Sequence, residues 1–333
     1  MNATATTTKK INMVQAIQLA LDDAMGQDPS VLVLGEDIAD AQGGGVFKCT
    51  AGLSAKYGTE RVKSTPIAEQ AIMGAAVGAA LGGMRPVAEI MLMNFTAVAM
   101  DQIVNHAAKL RFMTGGQTHV PLTIRTATGA GFGTGGQHAD YLEAWFAHTA
   151  GMKVVAPSNP ADAYGLLLSC IFDDDPCVFI ENLPLYFAPG DAPERGQRVP
   201  LGQAKVVREG SDVTLISYSR TMLEARAAAD QLAKDGVSVE LIDLRTISPL
   251  DMATLVASAG KTRRAVVAHE AQVDFGVGGE IATRLHQQLF GRLLAPVGRV
   301  GAARSPVPFS RSLESAFIPT AARIQAAVLD TLK

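Results

Sequence analysis

"STPIAEQAIMGAAVGAALGGMRPVAEIM", residues 64 to 91, sets one acid, Glu69, at the head of a long run of small apolar residues and follows it with a second, shorter run. The first run has the length of a helix and the second the length of a strand. Thr65-Pro66 reads as the helix start: a threonine N-cap, then proline at the first helical position, where no N–H is needed. Glu69 then falls in or just past the first turn, where the helix dipole favours an acid by about 0.3–1 kcal/mol. Gly74, Gly78 and Gly82 recur every four residues, although glycine inside a helix costs about 1 kcal/mol relative to alanine. Three glycines on one face imply close approach of another backbone, with a second subunit as the expected source. A buried carboxylate is costly unless paired, hydrogen-bonded or protonated. Glu69 therefore sits either at the rim of a core helix or at a site of chemistry.

Working outward, short apolar runs alternate with helical patterns. Val14, Ile17, Leu21 and Met25 recur at helical spacing, and VLVLG (31–35) follows as a buried strand. RPVAEIM (85–91), PLTIRTA (121–127), MKVVAPS (152–158) and PCVFIEN (176–182) read as further strands. A helix is expected from about Thr96 to Phe112, and Asn159-Pro160 opens another that runs to about Phe172. Residues 183–203 are rich in Pro and Gly, lack a period, and read as a linker. The alternation then resumes with strands DVTLISYS (212–219), VSVELIDL (237–244) and RAVVAHE (264–270). Helices are expected at 220–235, after Pro249, at 279–290 and at 320–332. The pattern predicts an α/β fold of two doubly wound domains, 11–182 and 204–333.

Composition agrees with that division, because 333 residues exceed what one core usually serves. Hydrophobic residues make up 48% and charged residues 18%, a lean surface that suits an obligate oligomer. With 29 Lys+Arg against 32 Asp+Glu, the net charge of −3 offers no footprint for nucleic acid or anionic lipid. The apolar region 71–100 is broken by Arg85, Pro86 and Glu89 and reads as core, not as a membrane span. The start, MNATATTTKK, lacks an apolar segment and reads as a polar tail, not a signal peptide. Cys49, Cys170 and Cys177 are too few and scattered for a disulfide framework and suggest free thiols in a reducing cytoplasm. His106, His119, His148, His269 and His286 show no metal-ligand spacing.

The spacing Glu69-QAIM-Gly74-Ala75-AV-Gly78-Ala79 resembles the pyrimidine-binding motif of thiamine diphosphate enzymes. The resemblance extends through "VLGEDIA", "GLSAKYG", "MDQIVNHAAKLRF", "GGQH", "SNPADAYGLLLSCI", "VELIDLRTISPLD", "HEA" and "PVPFS". Together these resemble the beta subunit of the decarboxylating component of the 2-oxo acid dehydrogenase complexes, the group that includes pyruvate, branched-chain and acetoin dehydrogenases. The resemblance implies a pyrimidine-binding domain followed by a transketolase C-terminal-like domain. It implies that Glu69 exchanges a proton with the pyrimidine nitrogen of a bent thiamine diphosphate, which leads to the nucleophilic ylid. That step needs a carboxyl shielded from water. Phe95 matches the aromatic that stacks on the pyrimidine, Met91 a neighbour of the ring, and Glu36 in "LGED" an acid close to the cofactor. Branched-chain members favour tyrosine at the position of Phe95, so phenylalanine points to a pyruvate- or acetoin-type enzyme.

In "TATGAGFGTGGQHAD" (126–140), Gly131, Gly133 and Gly136 satisfy G-x-G-x-x-G. A dinucleotide site also needs an acid ending the next strand, and MKVVAPS has none, so that reading is rejected. The resemblance instead makes this a loop that delivers His138 to the mouth of the site, toward substrate or lipoyl group; Ala139-Asp140 follows where the family commonly has serine. It further implies a potassium ion on carbonyls of Leu122, Cys170, Ile171, Asp173 and Asp175. Neither Gly-Asp-Gly nor Asn-Asn, the motif that holds the diphosphate's magnesium, occurs in the chain. An alpha subunit must then supply that half of the site and its Mg2+, in an α2β2 heterotetramer that serves a lipoyl acyltransferase core. The expected reaction is cleavage of a 2-oxo acid or acetoin with acyl transfer to lipoate. Half of a split transketolase, or branched-chain specificity, is the alternative.

Overall fold

The computed structural model describes residues 10–333, so the tail reading of residues 1–9 lies outside the described residues. The first half runs β1 (Lys10–Ile11), α1 (Met13–Gln27), β2 (Val31–Glu36), α2 (Leu53–Tyr57), β3 (Val62–Thr65), α3 (Glu69–Leu81) and β4 (Arg85–Leu92). It continues with α4 (Leu110–Met113), β5 (Thr123–Thr128), α5 (Glu143–Ala147), β6 (Lys153–Val155), α6 (Pro160–Ile171), β7 (Cys177–Asn182) and β8 (Gly190–Asp191). The second half holds β9 (Lys205–Arg208), β10 (Val213–Ser217), α7 (Thr221–Lys234), β11 (Val239–Asp243), β12 (Thr246–Ser248) and α8 (Met252–Thr262). β13 (Ala265–Gln272), α9 (Val277–Gln288), β14 (Gly298–Ala302), α10 (Arg311–Phe317) and α11 (Ala321–Asp330) complete it.

Local chemistry explains several boundaries. Asn12 and Gln15 form a reciprocal capping box at the head of α1. Asn159 accepts from the Asp162 amide and Pro160 takes the first turn of α6, as the dipeptide predicts. The expected start of α3 is wrong. Thr65 pairs in parallel register with Glu36 as the last residue of β3, so its backbone belongs to the sheet. The helix begins at Glu69 with Ala68 as an uncapped N-cap. The helix expected over 96–112 is also not regular: Met93–Ala99 is a 3-10 segment, Asp101–Ala107 is π-wound, and only Leu110–Met113 is α.

One sheet has the order β12-β6-β7-β5-β4-β2-β3 and the other β14-β13-β10-β11-β9. Both are parallel except at an edge, where β12 and β9 run antiparallel. β12 comes from the second half and closes the edge of the first sheet, with Thr246 opposite Val155. Ile17, Leu21, Leu167 and Phe179 fill the layer between α1, α6 and one face of the first sheet. The other face shares a core with the second half, in which Ile90, Ile124 and Ile180 join Ile216, Ile242 and Ile281. α7 and α11 cover the far face of the second sheet. Within 183–203, Leu183, Leu185 and Tyr186 are buried, and β8 pairs with β1.

Candidate active site

The parallel strands β2, β4 and β5 end at one edge of the first sheet, where ligands of such sheets gather. Glu36 is the last residue of β2, and its neighbour Thr65 lies four residues before Glu69. The two acids thus reach the same edge from adjacent strands. Burial raises the Glu36 pKa above the usual carboxylate range, and the charges of Glu69, Asp37 and Glu89 raise it further. Glu69 is half-buried at the mouth of an open groove lined also by Ala71, Gly74, Val98 and Gln102. Ile72, Met73, Ala76, Val77 and Ala80 bury the opposite face of α3 on the sheet. The glycine face is different: a Cβ on Gly78 would meet nothing within 4 Å, and one on Gly74 would meet only the Gln102 side chain. Among the described residues, no backbone of another element makes the close approach at Gly74 or Gly78 that the glycine spacing implies.

Phe95 and His138 meet edge to face, with ring centroids 5.5 Å apart and planes at 77°. The uneven winding after β4 turns Asn94 toward the same loop, where its amide donates to the Gly136 carbonyl at 3.0 Å and to Asp140 Oδ2 at 2.9 Å. Asp140 therefore takes up a structural bond beside His138. Burial raises its pKa even though the Asn94 bond opposes the shift. Met91 borders a small cavity between β4, β5 and β7 with Glu89, Arg125 and Glu181. Glu36 and Glu69 thus lie within reach of each other's charge, and Phe95 meets His138, at the end of the sheet where β2, β4 and β5 finish, while Met91 lines the cavity beneath.

The Transketolase, pyrimidine binding domain family matches residues 9–187, and the Transketolase, C-terminal domain family matches residues 202–324. The chain is 44% identical over 333 residues to the Acetoin:2,6-dichlorophenolindophenol oxidoreductase subunit beta of Cupriavidus necator, covering 98% of each. It is 45% identical over 311 residues to the Pyruvate dehydrogenase E1 component subunit beta of Staphylococcus epidermidis, covering 93% of this chain and 95% of that one. The chain belongs to this family of dehydrogenase beta subunits. A solved structure titled "Split gene transketolase, inactive beta4 tetramer" has the same fold, with a TM-score of 0.79 and 25% identity over 97% of this chain and 98% of that one.

A pyrimidine-binding beta subunit needs a carboxyl for a ring nitrogen and an aromatic for a ring face, and Glu69 and Phe95 fit that half of a thiamine diphosphate. They do not fit the diphosphate half: among the described residues no group of three or more His, Cys, Asp or Glu could hold a metal. Leu122, Cys170, Ile171, Asp173 and Asp175 lie together, but near the starts of β5 and β7, at the edge opposite Glu69. Their oxygens are already engaged. Arg85 donates to the Ile171 and Asp173 carbonyls, Cys177 N to Leu122 O and Asp173 N to Cys170 O. Lys153 Nζ sits 2.6 and 2.7 Å from the Asp173 carboxylate, and Arg111 is 2.6 Å from Asp175 Oδ1. Each of these oxygens therefore already has a hydrogen-bond or ion-pair partner within the chain.

Sequence reasoning missed a buried ion network beneath the site. Arg125, 1% exposed, gives Nε and Nη2 to Glu181 at 2.7 and 2.9 Å and Nη1 to Glu89 at 2.6 Å. Tyr186 donates to the same Glu181 carboxylate. Burial works against the guanidinium charge, but Glu181 and Glu89 hold Arg125 protonated. The signal was present as charges inside three apolar strands, Glu89, Arg125 and Glu181; their adjacency in the sheet was not. His269, left structural in the sequence, is buried, stacks on Tyr218 and accepts from the Gly278 amide.

Proposed function

We propose that this chain is the beta half of a thiamine diphosphate enzyme that cleaves pyruvate or acetoin and passes the acyl unit to a lipoyl acyltransferase. Two alpha and two beta chains form the working unit, and the alpha chain holds Mg2+. The observation that carries the reading is Glu69 at the head of a Gly/Ala helix, on the sheet edge where Phe95 and His138 meet. Thiamine diphosphate, when bound, supplies the nucleophilic carbon and the electron sink. Glu69 exchanges a proton with the pyrimidine nitrogen, and the smooth wall of α3 keeps water away from that bond. Burial and the nearby Glu69 charge raise the Glu36 pKa, so Glu36 holds its proton more readily beside Glu69. Phe95 and Met91 bound the ring, and His138 offers an imidazole to substrate or lipoyl group. Three buried free cysteines suit a cytoplasmic location. A split transketolase would share Glu69, but the relatives at 44% and 45% identity are dehydrogenase subunits.

The test is calorimetric. The chain alone, titrated with thiamine diphosphate and Mg2+, should bind neither, because the diphosphate's metal wants near-octahedral oxygen ligands that it lacks. Adding the alpha chain should restore binding, and a panel of pyruvate, acetoin and branched-chain oxo acids should then show lipoyl-dependent turnover on one of the first two. Tight, Mg2+-dependent binding by the chain alone would overturn the two-chain reading.

A further inference from the structure

We infer that the second half of the chain positions the His138 loop through two buried carboxylates, Glu270 and Glu314. The inference rests on the reading of His138 given above. The loop has little to hold itself: Gly129, Gly131, Gly133 and Gly135 all have φ between +67° and +125°, and such a glycine-rich stretch loses much freedom when ordered. Its anchors lie far away in sequence. The Ala130 amide donates to Glu270 Oε1 at 2.7 Å, and Asn182 Nδ2 donates to Glu270 Oε2 at 2.8 Å. The Gly131 amide donates to Glu314 Oε1 at 2.6 Å, and the Gly133 amide reaches both Glu314 oxygens at 3.2 and 3.1 Å. Arg220 closes the set by donating to the Ala130 carbonyl at 3.1 Å. Glu270 and Glu314 are 4% and 3% exposed.

The alternate amides of Gly131 and Gly133 converge on one carboxylate, as in an anion-binding nest, here filled by a side chain of the other half. Packing completes the hold. A Cβ on Gly135 would come within 2.5 Å of the Phe309 ring, and one on Gly136 within 3.1 Å of Pro306. Ala130 and Ala139 share a buried cluster with Ala302, Val307 and Phe317. On the first half's side, Asn94 grips the loop at Gly136 and Asp140. His138 thus stands between a grip from its own sheet and a clamp from the second. Glu270 and Glu314 are positioning residues, because they touch the loop backbone and not the reacting atoms.

The experiment uses the assembled alpha–beta enzyme carrying Glu314→Ala, Glu314→Met, Glu270→Met or His138→Ala. Hydrogen exchange of the 130–138 amides is measured beside two rates, transfer to a lipoyl domain and reduction of the dye 2,6-dichlorophenolindophenol. Loss of the clamp should speed exchange in that segment about tenfold or more. It should also lower the lipoyl-linked rate by more than the dye rate, since small misplacements of a catalytic group cost about 10²-fold. Glu314→Met keeps the side chain's length, removes both acceptor oxygens, and carries the test if the alanine variant does not assemble. His138→Ala should lower lipoyl transfer while leaving exchange in the loop as in the parent. Parent-like exchange in both Glu314→Met and Glu270→Met would overturn the clamp whatever His138→Ala does. Full lipoyl transfer in His138→Ala would instead overturn the reading of the histidine and leave the exchange result to decide the clamp.

Discussion

A glutamate as the first residue of a helix has an ordinary reason to be there, the dipole and the free amides of the first turn. What separates Glu69 from a capping acid is its company. Glu36 lies on the adjacent strand, and the Glu69 charge contributes to the rise in its pKa. The groove over Glu69 is lined on the helix side by Ala71 and Gly74, which offer no hydrogen-bonding side chain, and by Gln70. In this chain alone the carboxyl is only half-buried, so the dry environment that proton exchange needs must be completed by a partner surface. Glu69→Gln keeps the shape and removes the proton. Folding and assembly should stay intact while turnover with the alpha chain falls by about 10²–10⁴, the usual worth of a positioned proton-transfer group. Steady-state rates beside size-exclusion profiles check this, and near-parent turnover would remove Glu69 from the mechanism.

At the scale of elements, α3 has one buried face and one bare one. Ile72, Met73, Ala76, Val77 and Ala80 secure it to the sheet, while Gly78 looks into open space. Gly78→Leu should therefore act in opposite directions on the two states. The lone chain gains about 0.5–1 kcal/mol of helix propensity and its melting temperature rises or holds. The assembly meets an added side chain at each copy of the contact, about 1–3 kcal/mol each, and should shift to smaller species on size-exclusion chromatography. An unchanged oligomer would show that no partner backbone lies against this face. Elements of this kind were mostly legible in the sequence, because alternation, Asn-Pro at 159–160 and the glycine spacing are local signals. The exceptions have local causes too. Thr65 could cap a helix or end a strand, and only its pairing with Glu36 decides. The 93–113 stretch has helical composition, but its changes of winding carry no mark in sequence. Among the candidate site residues, Glu69, Phe95 and His138 were named from motif resemblance and glycine context. Glu314 was not, since its contact with Gly131 spans 183 positions and no local pattern encodes it.

Across the whole molecule the two halves meet through buried titratable groups, and this makes stability depend on pH. Glu143 in the first half is fully buried, accepts from Tyr218 of the second at 2.7 Å, and has its other carboxylate oxygen unpartnered among the described residues. Burial pushes its pKa up from 4.5 to about 7. Asp243, bonded by Ser158 across the same junction, is pushed by burial to about 6. For both acids the folded state keeps a proton that the unfolded state releases, so their contribution is full below the unfolded pKa and is lost as pH rises. For Glu143 the loss runs from pH 4.5 to about 7 and amounts to about 3 kcal/mol, at about 1.4 kcal/mol per unit. His269 works oppositely: burial lowers its pKa from 6.5 to about 4, so the unfolded state gains a proton first and stability is lost as pH falls through that window. Glu143→Gln is nearly isosteric, still accepts from Tyr218, and carries no charge to bury. At pH 5, where Glu143 is protonated in the fold, parent and variant should unfold at nearly the same temperature. At pH 8 the variant should be the more stable by a few degrees, because the parent alone bears the buried charge. Melting temperatures taken at half-unit steps between pH 5 and 8 check this. Two parallel profiles would mean that Glu143 is not held uncharged, and that water or a partner reaches its second oxygen at the junction.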